Sequence, residues 1–138
     1  MMSNFLRNQL FVMRSDQLRA VRHGPTVVAY LGPEYSSLDE QLMDEVEHFL
    51  FECIDPDEIK NLVVDMSSTK FFASLFIEVL FRAHNRIQRK QGQFAISGLR
   101  GHPLDVILIS KLEGVLGLVP TAEEAVQKFN SAGSPPAK

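Results

Sequence analysis

The sequence predicts a single α/β domain, a mostly parallel mixed sheet of about 4–5 strands with about four helices packed against it. Three observations predict it. Short apolar runs of strand length alternate with longer stretches whose apolar residues recur at helical spacing. The 138 residues are enough to bury one core without disulfides or metals. At 45% hydrophobic and 22% charged residues, the composition is that of a globular chain.

From Leu18 to Leu31 the pattern reads as two short strands broken at the turn signal His23-Gly24-Pro25. The second, Thr26 to Leu31, is a continuous apolar run and is expected at the centre of the sheet. Ser37-Leu38-Asp39-Glu40 has the spacing of a capping box. After it, Leu38, Leu42, Val46, Phe49, Leu50 and Cys53 recur at helical spacing, with acidic residues on the other face. Asp55-Pro56-Asp57 stops that helix, and Leu62 to Met66 reads as another buried strand.

A polar turn, Ser67-Ser68-Thr69-Lys70, leads to Ser74 at the mouth of a helix expected from about Leu75 to Lys90. At about 100° per residue, Phe76, Val79, Leu80, Ala83 and Ile87 form one stripe, opposite Glu78, Arg82, Asn85 and Arg89. Leu75 and Phe81 fall off the stripe and are expected to be exposed. Arg82, Arg86 and Arg89 read as a solvated basic face, with Glu78 paired to Arg82. Gly92 releases the chain into a strand at Gln93 to Ser97. Pro103 opens an apolar helix to about Ser110, and Gly114 to Val119 reads as a turn and brief strand. Thr121-Ala122-Glu123-Glu124 is a second capping box, for a last helix to Phe129. The expected organisation is an N-terminal extension over residues 1–15, the domain over 16–130 and a disordered tail over 131–138.

Several function classes lose support. A net charge of −3 gives no basic footprint for nucleic acid. The lone Cys53 forms no internal disulfide, which suits a reducing compartment. No run approaches the ~20 apolar residues of a membrane span, and the N-terminus lacks the order of a signal peptide, so a cytoplasmic protein is expected. His23, His48, His84, His102 and Cys53 show no metal-ligand spacing. Ser67 and Lys70 form a Ser-x-x-Lys pattern without its companion motifs. No cofactor, metal or catalytic group is expected, and no enzyme. Ser74 keeps two readings. As a helix cap its hydroxyl is worth about 1 kcal/mol, and as a modification site it would bring negative charge to a helix start.

The ordered set of motifs resembles a STAS domain, the fold of bacterial anti-sigma factor antagonists. Leu31-Gly32-Pro33-Glu34-Tyr35 is similar to the family's strand-ending Gly-Glu-Leu run, and Leu62-Val63-Val64-Asp65-Met66-Ser67 to its Val-Val-Leu-Asp-Leu-Ser strand. Leu112-Glu113-Gly114-Val115-Leu116 and Thr121 to Val126 resemble its C-terminal end. The family's Phe-Ile/Met-Asp-Ser-Ser-Gly-Leu signature, whose first serine is phosphorylated by a partner kinase, aligns with Phe71 to Ile77. Ser74 takes the phosphorylated position. Ala73 replaces the aspartate, Leu75 the second serine and Phe76 the glycine. The resemblance implies a partner-switching module that binds a serine-kinase-like anti-sigma factor through Ala73, Leu75, Glu78, Phe81 and Arg82, with Ser74 as the switch. It also allows an accessory subunit docked on a transporter ATPase, or a ligand-sensing scaffold domain. Homodimerisation stays open.

Overall fold

A computed structural model describes residues 10–132. Its main sheet has six strands in the order β1-β2-β3-β5-β7-β8. These are β1 (Leu10–Ser15), β2 (Leu18–His23), β3 (Thr26–Leu31), β5 (Asn61–Asp65), β7 (Phe94–Ser97) and β8 (Leu118–Val119). β1, β2 and β3 pair antiparallel; β3, β5, β7 and β8 pair parallel. β3 and β5 lie in the middle, as their unbroken apolar runs require. Leu10–Ser15, from the segment expected as an extension, is the strand at one edge.

Five helices follow the strands: α1 (Glu40–Ile54), α2 (Ser74–Arg89), α3 (Gly101–Ile109), α4 (Glu113–Leu116) and α5 (Ala122–Ala132). The alternation of side chains along each strand divides them between two faces. Val27, Ala29, Leu62, Val64 and Ile96 share a core with Phe49 and Leu50 of α1 and Phe76 and Leu80 of α2. Val28, Val63 and Ala95 face the other way and meet Ala122, Ala125 and Phe129 of α5. The α2 stripe is buried as its spacing predicts: Phe76, Val79, Leu80, Ala83 and Ile87 are all within 1% of full burial. Gly92 ends the connection tightly. A Cβ there would overlap the Lys60 carbonyl oxygen, so no other residue lets this turn pass.

Two departures from the sequence reading have one cause. Ser37–Leu38 forms β4 and Phe71–Phe72 forms β6, a separate parallel pair. Phe71 N–H donates to Ser36 O at 3.0 Å and Ala73 N–H to Leu38 O at 2.9 Å. Strand pairing therefore takes Ser37 away from the helix. α1 starts later, with Asp39 as its cap accepting from Gln41 N–H at 3.0 Å. Of the second capping box the Thr121 half forms: Thr121 Oγ1 accepts from Glu124 N–H at 3.1 Å. Its helix runs on to Ala132, and residues 133–138 of the expected tail lie outside the described residues. Pro103 stands inside the first turn of α3, where its missing N–H would have had no intrahelical partner. Among the described residues, no helix is long and apolar enough to cross a membrane.

Candidate functional site

β5, β6 and α2 are consecutive, so the start of α2 is presented at the C-terminal end of the sheet. Thr69 N–H donates to Met66 O at 3.0 Å, closing the turn expected at Ser67 to Lys70. The β6 pair then brings Ala73 to the helix in an extended conformation, with φ −70° and ψ 153°.

Ala73, not Ser74, is the N-cap, and no side chain caps this helix. This corrects the capping reading of Ser74. The Ala73 N–H bond to Leu38 fixes the last extended residue one position earlier, and a side chain already inside the first turn is badly placed to accept from the N–H groups ahead of it. Ser74 is exposed. Its hydroxyl has no hydrogen-bond partner among the described residues.

Around it lies an apolar rim. Leu75 and Phe71 are each 44% exposed, and the Phe71 ring stacks on His102 of α3 at 6.4 Å between centroids. Glu78 is exposed one turn further along. Phe81 departs from expectation: it is half-buried and packs on the main core. The basic face is solvated at Arg82 and Arg89 as expected, and two of its cations also reach α1. Arg82 is held by Glu47 of α1, with Glu78 at 3.7 Å as a second partner. Arg86 bonds Asp55 at 2.8 Å and lies 3.9 Å over the Phe51 ring. Both cations fasten α2 to α1. Sequence reasoning missed Phe71 and His102, whose contact depends on how α3 returns to β6.

A second concavity, of about 570 Å³, opens where β3, β5, β7 and α5 meet, lined by Tyr30, Asp65, Gly98, Arg100 and Glu123 among others. Asp65 accepts from Ser67 Oγ at 2.7 Å and Ser97 Oγ at 2.8 Å. Gly98, at φ +75°, lets the chain turn against Ser67. Ser67 is thus committed to Asp65 rather than to Lys70. Burial, then Asp65 and Glu123, push the Tyr30 phenol above its ordinary pKa. Cys53 is buried, and burial pushes its thiol up, which disfavours the reactive thiolate. Among the described residues no three His, Cys, Asp or Glu side chains converge as metal ligands would.

This order of strands and helices has counterparts in known proteins. The STAS domain model matches residues 22–125. The chain belongs to the STAS domain family. Its fold is similar to that of an anti-sigma-factor antagonist (STAS) domain protein from Planctomyces limnophilus, at 21% identity and a TM-score of 0.74, over 81% of this chain and 96% of that one. It is also similar to the phosphorylated form of the Bacillus cell fate determinant SpoIIAA, at 16% identity and a TM-score of 0.58, over 88% of this chain and 97% of that one. The inward-facing murine Solute Carrier 26 family member A9 anion transporter is similar over 94% of this chain but 24% of its own, at 12% identity and a TM-score of 0.66. At these identities the likeness shows the fold. No curated protein matches the chain.

Proposed function

We propose that this STAS domain is a cytoplasmic partner-switching regulator of the anti-sigma factor antagonist kind, a binding module and not an enzyme. It docks a serine-kinase-like anti-sigma factor through the start of α2, with Ala73, Leu75 and Glu78 in contact and Phe81 and Arg82 setting the posture of the helix. One observation carries the reading: an exposed Ser74 with an unengaged hydroxyl, in the first turn of an uncapped helix and beside exposed Leu75. Phosphorylation there would add nearly two negative charges to an apolar docking rim, which opposes binding by desolvation and repulsion. The antagonists among the structural neighbours support the same direction.

The test is affinity capture from the source organism's lysate with wild-type and Ser74→Glu baits, followed by binding of the purified partner. Capture of a kinase-like anti-sigma factor by wild type alone is the expected result. Equal affinity of that partner for both forms overturns the switch at Ser74. Capture of a transporter subunit by both forms supports the second reading, an accessory domain on a transporter, which the likeness to the anion transporter makes worth testing.

A further inference from the structure

Two concavities meet along the flank of α5. The larger, of about 570 Å³, lies at the C-terminal ends of β3, β5 and β7, and its volume is that of a small-molecule site. The smaller, of about 190 Å³, shares Tyr30, Ala122 and Glu123 with it and continues to Val28 and Val126. The sheet register explains the lining. Tyr30 pairs with Asp65 and Asp65 with Ser97, so the three side chains form one polar row on the α5 face. That row stands two residues beyond the apolar row of Val28, Val63 and Ala95 that α5 covers.

Charge orders the groove. Arg100 and Asp65 line the larger concavity, and Glu123 lines both. None of the three forms an ion pair among the described residues. Asp65 is nevertheless fixed in place, because its two oxygens accept from Ser67 and from the fully buried Ser97. Asp65 and Glu123 both lie close enough to act on the Tyr30 phenol, whose hydroxyl has no hydrogen-bond partner among the described residues. Arg19, 6.0 Å from the Tyr30 ring, lines neither concavity. Two carboxylates without a cation suit an ammonium group, and the guanidinium of Arg100 suits a carboxylate. Val28 and Val126 suit an apolar chain. We infer that the groove is a binding site for a free amino acid with an apolar side chain. Its carboxylate meets Arg100, its ammonium meets Asp65 and Glu123, and its side chain passes Tyr30 to reach Val28 and Val126. This does not rest on the partner-switching reading, whose residues lie on α2.

Titration of the isotope-labelled full chain with L-leucine, L-methionine and L-phenylalanine, followed by amide chemical shifts, tests it. At least one is expected to bind saturably with a Kd below about 1 mM, moving the amides of Gly98, Arg100 and Ala122 but not those of Ser74 and Leu75. Two analogues of that amino acid divide its charges: the amide, which lacks the carboxylate, and the deaminated acid, which lacks the ammonium. Each is expected to bind about tenfold more weakly or worse. Arg100→Gln is expected to weaken the amino acid by about tenfold and to leave its amide unchanged. Glu123→Gln is expected to weaken the amino acid and to leave the deaminated acid unchanged. Both positions are exposed, and unchanged far-ultraviolet dichroism confirms the fold. No saturable shift with any of the three amino acids up to about 10 mM overturns the inference. Binding that neither variant weakens overturns it by placing the contact elsewhere. An amide that binds as well as its amino acid overturns it by reducing the groove to a site for simple amines.

Discussion

α2 and α5 are both helices that begin at the C-terminal end of a strand, on opposite faces of one sheet, and they are fastened in opposite ways. α5 is held at both ends. Thr121 caps its start. Near its far end Asn130 accepts from Thr26 Oγ1 at 2.7 Å and donates to His23 O at 3.2 Å, while Asn61 donates to Thr26 Oγ1 at 3.0 Å. Its apolar footprint is small: Ala122, Ala125 and Phe129. α2 is held by its body and its far end, through five buried side chains and the Gly92 turn. Lys90 adds to this by donating to the carbonyls of Ile54, Pro56 and Ile59, a burial that lowers its pKa. The first turn of α2 is left without a cap. The difference teaches that a helix well anchored along its length can leave its start unspecialised for stability, free to present a hydroxyl and an apolar rim to a partner.

The comparison breaks first at Phe76, among the largest fully buried side chains. Phe76→Ala is expected to cost about 3–5 kcal/mol, read from the urea midpoint. A cost below about 1 kcal/mol would mean that the body of α2 is not its anchor. Next comes the far end of α5. Asn130→Ala removes the acceptor of the buried Thr26 hydroxyl and is expected to cost about 1–3 kcal/mol in the same assay. The two helix starts then give effects of opposite sign. Thr121→Ala should lose about 1 kcal/mol, while Ala73→Asp should gain a similar amount, because one start has a cap to lose and the other a vacant capping position. A loss of stability in Ala73→Asp would show that the first turn of α2 is satisfied by other means. The smallest change is at Ser74. Ser74→Glu is expected to stabilise by about 0.3–1 kcal/mol through the helix dipole, measured by thermal unfolding. Together with loss of partner binding, that would separate a docking effect from a folding one.

Much of the candidate site was legible along the chain. The apolar spacing of α2 identified its buried residues and left Leu75 outside, since a helix wheel depends only on neighbours within a few turns. Phe81 and Arg82 were less legible. Arg82 is held by Glu47 of α1, 35 residues earlier in the chain, and Phe81 packs on the core; no local pattern reports either contact. α3 carried a signal in its high apolar content, but exposure of Leu108 and Ile109 on one side could be seen only once Pro103 and Ile107 had found the core.

By itself the sequence determined the alternation of strands and helices, the two-faced character of the central strands, the buried stripe of α2 and the Thr121 cap. These follow from contacts within one or two turns of chain, where spacing and side-chain chemistry act directly. The tertiary structure decided where α1 and α2 begin, which strand lies at each edge, and that Arg82 and Arg86 reach Glu47 and Asp55. The physical reason is competition for the same backbone groups. A capping side chain near Ser37 offers one hydrogen bond, whereas pairing of β4 with β6 satisfies several donors at once. The partner strand that wins that competition is remote in sequence, so only the folded chain brings it into place.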